Sequence, residues 1–181
     1  RWAACLMPTD EGAAKAYARA CWALGRVDEG LEFLRQREAT WGDRSSAPAM
    51  TWHEKLDQLE KTEAAEQVLA AALRRRSDDA GLKLYAAEDR LRRQRLAEAQ
   101  ALLDAATEPA RRGSRLRVSA LLSEARGDYA QALAWAQEAA SLEPFNLAQR
   151  RLHLRLVARL QGRDAAIAEL RAVVARHPAH Y

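Results

Sequence analysis

A spacing of about 34 residues runs through the chain and constrains its fold more than any single residue does. It is plainest over 127–144, GDYAQALAWAQEAASLEP, where a turn glycine and Asp128 lead into a run with small Ala132 and Ala139 seven residues apart, closed by Pro144. Thirty-four residues further on stand Ala166, Val173 and Pro178, the same small, aliphatic and helix-ending types. Upstream, Ala65 with Ala72 and Ala99 with Ala106 keep the same phase. A unit of this length holds two short helices that cannot bury their apolar faces alone, so neighbouring units must stack to make a core. Alanine, leucine, arginine and glutamate dominate, while glycine and proline number only 8 and 5 of 181 residues. That balance favours helices over strands nearly everywhere. The expected fold class is all-α.

Read in this register, the chain is one continuous array: a half-repeat at 1–10, then repeats at about 11–45, 46–79, 80–112, 113–146 and 147–180. The spacing predicts a helix over 11–24, broken at Gly25, and its partner over 27–39. Ala14, Tyr17, Ala18 and Cys21 recur at i, i+3, i+4 and i+7, the buried stripe of the first of these. After the loop TWGDRSSAPA, helices are expected over 48–60 and 63–76, and further units begin near Ala80, Gly113 and Leu147. The chain opens on Arg1, and RWAACLMP reads as the second half of a repeat, so a fragment of a larger protein is expected. Its compartment is not set by the residues; the cytoplasm is favoured, with the periplasm as the alternative.

The small residues carry a family resemblance. First helices place Ala18, His53, Ala87, Ala120 and Leu154 at one register position, and second helices start with Gly30, Ala65, Ala99, Ala132 and Ala166 at another. Proline closes units at Pro8, Pro144 and Pro178, with Pro109 slightly early. This pattern resembles the tetratricopeptide repeat (TPR) family over the full chain, with His53 and Leu154 departing from it. The resemblance implies a right-handed α-solenoid of antiparallel helix pairs, first helices lining a concave groove, and peptides or partner proteins as ligands. Small residues at the crossings let backbones approach closely.

No constellation for catalysis is legible, and no enzyme activity or cofactor is expected. His53-Glu54 starts like a zinc-protease helix, but Asp57 stands where the second imidazole is needed. His177 and His180 straddle Pro178 and read as exposed side chains rather than metal ligands. Asp78-Asp79 lies in a turn with no basic group expected beside it. Cys5 and Cys21 read as small buried hydrophobes rather than as a disulfide. No apolar run approaches the roughly 20 residues needed to cross a bilayer. Of the tryptophans, Trp2, Trp41, Trp52 and Trp135 are expected to pack within the array.

Two stretches remain for partner binding. Lys15, Arg19 and Trp22 share one helical face, the one the resemblance turns into the groove. Arg151, Arg155 and Arg159 recur every four residues, and Arg117 precedes Arg151 by one period, so the four should form a basic ridge over two helices. Guanidinium groups bind carboxylates in bidentate fashion, which suits an acidic peptide. The competing reading is a solvated face whose arginine stems cover leucines. The expected function is therefore a non-catalytic interaction scaffold for a protein or peptide, including other domains of the parent chain. The alternative is an accessory array of a larger enzyme or polysaccharide-export protein, guiding an anionic polymer. Nucleic acid is disfavoured by a net charge of only +4 and by Glu54, Asp57, Glu88 and Glu124 on the first-helix faces.

Overall fold

The computed structural model describes residues 9–176, so the expectations for Trp2, Cys5, Pro8, His177, Pro178 and His180 lie outside the described residues. Among the described residues there are ten α-helices and no strand: α1 (Glu11–Ala23), α2 (Val27–Trp41), α3 (Ala47–Gln58), α4 (Thr62–Arg75), α5 (Ala80–Arg92), α6 (Leu96–Asp104), α7 (Arg112–Ala125), α8 (Tyr129–Leu142), α9 (Leu147–Gln161) and α10 (Arg163–Arg176). A 3-10 turn over Pro109–Arg111 leads into α7. Several helices start where a short polar side chain accepts a free backbone N–H. Asp10 takes that of Ala13 at 2.6 Å, Asp128 that of Gln131 at 3.0 Å, and Asn146 that of Ala148 at 3.1 Å.

Asp79 does the same for α5, accepting from the Leu82 N–H at 2.9 Å, and Arg76 pairs with it at 3.1 Å. This corrects the expectation that no basic group stands beside Asp78-Asp79. Burial would raise the Asp79 carboxyl, but the Leu82 N–H, the Ser46 hydroxyl and the Arg76 guanidinium outweigh it and hold the group below the usual carboxylate range.

The chain forms two compact units, 1–82 and 83–181, and α5 spans their boundary. In the first unit α1 packs on α2 and α3, and α3 on α4. Ala14, Ala18 and Leu34 are its buried centre, with Phe33 and Trp52 against them. Gly30 is required by proximity: a Cβ there would stand 3.1 Å from the Cys21 Cβ and 3.5 Å from the Ala18 carbonyl oxygen. His53 is fully buried at the position where α1, α5 and α7 carry alanine.

A further departure from the small-residue register lies at Arg37, seven residues after Gly30, where the later repeats have Ala72, Ala106, Ala139 and Val173. Its side chain is only 7% exposed and holds Glu11 with two hydrogen bonds of 2.9 and 3.0 Å. The Thr51 hydroxyl donates to the same carboxylate at 2.7 Å, so one buried ion pair ties α1, α2 and α3 together.

In the second unit α7 packs on α6 and α8, and α9 on α8 and α10. Ala120, Ala132, Ala136, Leu152 and Leu156 form the buried centre, with Leu133 and Trp135 packed against it. Arg112, at the start of α7, pairs at 2.6 Å with Glu138, near the end of α8, as antiparallel helices require. Ala166 and Leu154 are only half-buried, because no later helix among the described residues covers α10.

The turn inside each repeat is alike at the level of one dihedral. Gly25, Glu60, Gln94, Gly127 and Gly162 all have positive φ, from 58° to 95°, and succeed one another at the repeat spacing. Glycine enters this left-handed region freely, whereas a side chain there costs about 1–2 kcal/mol. Glu60 is exposed, so Glu60→Gly should raise stability by about 0.5–1 kcal/mol, read as a higher urea midpoint at unchanged slope. A lower midpoint would mean that this side chain contributes something other than strain.

Candidate partner-binding faces

On α1, Lys15, Arg19 and Trp22 stand one turn apart on the same side, as their spacing predicts. Trp22 is 41% exposed, and its ring borders a shallow apolar depression with Leu31, Leu34 and Leu59. Arg19 is exposed and makes no hydrogen bond or ion pair among the described residues. Lys15 instead donates to Glu54 on α3 at 2.6 Å. Burial alone would raise the Glu54 carboxyl, but the Lys15 ammonium and the nearby Lys55 charge prevail and hold it low.

The ridge of the second unit has more internal chemistry than its spacing suggests. Arg117 on α7 pairs with Glu88 on α5, and Arg155 on α9 pairs with Glu124 on α7. Carboxylates thus interleave with guanidinium groups from one first helix to the next. Arg159 donates to the Tyr129 hydroxyl at 2.8 Å and lies 4.1 Å over that ring, a cation–π contact with a neutral partner. Arg151 is exposed and makes no such contact among the described residues. Beside this row lies a cleft of about 510 Å³ with Leu91 and Leu121 at its floor and Glu88, Glu124 and Arg155 on its walls.

Among the described residues, no group of three or more histidine, cysteine, aspartate or glutamate side chains is placed to hold a metal ion. No helix among them is long and apolar enough to cross a membrane. The interleaved glutamates were visible in the sequence as acids on first-helix faces, but their pairing was not. Each joins residues about 30 positions apart, and their meeting depends on how far one helix is rotated against the next. Arg37 was missed outright; the signal for it is a charge standing where every other repeat has a small aliphatic residue.

The fold has counterparts among solved structures. The MamA RS-1 ArsTM double mutant superposes with a TM-score of 0.58 at 16% identity, over 91% of this chain and 92% of that one. MamA 41-end from Desulfovibrio magneticus RS-1 gives 0.59 at 15% identity, over 91% and 93%. No protein-family model and no curated protein matches the chain. Its described residues share an all-helical fold with these structures.

Proposed function

We propose that this chain is a non-catalytic interaction scaffold that holds a peptide or partner protein with acidic side chains against its first-helix faces. The observation that carries this reading is the state of the α9 ridge. Among the described residues Arg151 has no partner and Arg159 has only a neutral one, so both guanidinium groups are open to an incoming carboxylate. The apolar floor at Leu91 and Leu121 then supplies burial beside the charged row. Arg117 and Arg155 already hold Glu88 and Glu124, so they position the row more than they recruit a ligand. Lys15, Arg19 and Trp22 offer a second foothold on the first unit, with Trp22 as its aromatic anchor.

The same interleaving speaks against an anionic polymer. A polymer of uniform charge would meet Glu88 and Glu124 at every step along the row, whereas a peptide can place its acids against Arg151 and Arg159 alone.

The test is capture from a native lysate on the immobilised chain, comparing wild type with Arg151→Glu/Arg159→Glu. The double reversal should weaken retention of the specific partner by about tenfold or more. Wild-type retention should also fall as salt rises, because exposed charges are screened over about 8 Å at physiological ionic strength. Equal retention and equal salt response in both forms would make the ridge a solvated face.

A further inference from the structure

Helix α6 is shorter than its counterparts. It has 9 residues where α2 has 15 and α4, α8 and α10 have 14 each. Pro109 stands five residues past its last helical residue, Asp104. The residue before a proline is pushed out of the helical region, and Glu108 is extended, with φ −62° and ψ 121°. Lys83 caps the early end, its ammonium donating to the Ala105 carbonyl at 3.0 Å. Past the end of α6, bordered by the 107–109 segment, α7 and α8, is a cleft of about 460 Å³.

The floor of this cleft is the half-buried ring of Trp135 with Leu116. Its rim carries Arg112 and Arg115, one helical turn apart on α7, with two carboxylates, Glu108 and Glu138, and Pro109 also lining it. Arg112 is engaged by Glu138 but keeps 67% of its side chain exposed. Arg115 is exposed and makes no hydrogen bond or ion pair among the described residues. One lip is the unwound segment through Thr107, whose backbone makes no backbone–backbone hydrogen bond among the described residues. The α7 residues of this cleft sit roughly 150° around the helix from Arg117, Leu121 and Glu124, so the cleft opens away from the ridge described above.

We propose that this cleft is a second, separate docking site, and that it takes a short extended peptide segment with an aromatic residue flanked by acids. The aromatic ring stacks on Trp135, the neighbouring carboxylates reach Arg115 and Arg112, and the peptide main chain meets the free backbone at Thr107. Aromatic rings gain from offset or edge contacts beyond the area they bury. The carboxylates complement Arg115, the rim arginine with no partner among the described residues.

The experiment uses the full chain and a dye-labelled hexapeptide with one phenylalanine between two aspartates, followed by fluorescence anisotropy up to about 1 mM protein. Saturable binding is expected. Arg115→Glu should weaken it by about tenfold, and so should replacing the phenylalanine by alanine or the aspartates by lysine in the peptide. Arg151→Glu/Arg159→Glu should leave it unchanged, which separates this site from the ridge. Absence of saturable binding, indifference to Arg115→Glu with the fold intact by circular dichroism, or loss on reversing the ridge instead would each overturn the proposal.

Discussion

Replacing Arg37 by alanine should cost about 3 kcal/mol of folding stability, the largest single-residue effect outside the aliphatic core. The reason is asymmetry. Alanine leaves the Glu11 carboxylate, whose side chain is only 25% exposed, with the Thr51 hydroxyl alone to compensate its charge. Breaking such a pair from one side typically costs about 3–5 kcal/mol, and the remaining exposure of Glu11 places this one at the lower end. Removing both partners should be milder, so Glu11→Ala/Arg37→Ala is expected to be more stable than Arg37→Ala alone. Denaturant unfolding of the two single variants and the double gives the coupling directly. A loss below about 1 kcal/mol for Arg37→Ala, or strict additivity, would mean that the pair is solvated rather than buried.

Ala132→Leu should destabilise the second unit by about 1–3 kcal/mol, while Ala134→Leu, two residues away, should stay within about 0.5 kcal/mol of wild type. Ala132 has no exposed surface and lies against Ala120, Leu152 and Leu156, so added methylenes can only push α7 and α9 away from α8. Ala134 faces solvent. Thermal melts of the two variants check this, and similar losses in both would show that the register of α8 is wrong.

The contrast between those two alanines shows what a repeat makes legible. Helix starts at 11, 27, 47 and 62 fall within a residue of the positions that spacing alone predicts, because small residues at helix crossings recur with the unit. The left-handed turn could be read where glycine marks it, at Gly25, Gly127 and Gly162. It was hidden at Glu60 and Gln94, where the stack imposes the same dihedral on residues that do not prefer it. The loop after α6 was foreshadowed by the early Pro109, but the cleft beside it needed the neighbouring helices in place. Charge was the least legible part. Spacing put Arg117, Arg151, Arg155 and Arg159 in one row, yet it could not separate the two held by Glu88 and Glu124 from Arg151, which is free of both. The register within a helix is a property of sequence, whereas ion pairing between helices depends on their relative rotation, which packing decides.

The most direct test of the scaffold reading is to place a photo-crosslinking residue at position 151 on α9 or at position 134 on α8, irradiate each form in native lysate, and resolve the adducts by mass spectrometry. The α9 position should give a discrete adduct with one or a few proteins, suppressed by high salt, and the α8 position should give none of these. Adducts of the same identity and yield from both positions, or from the α8 position alone, would contradict the claim that the first-helix face holds the partner.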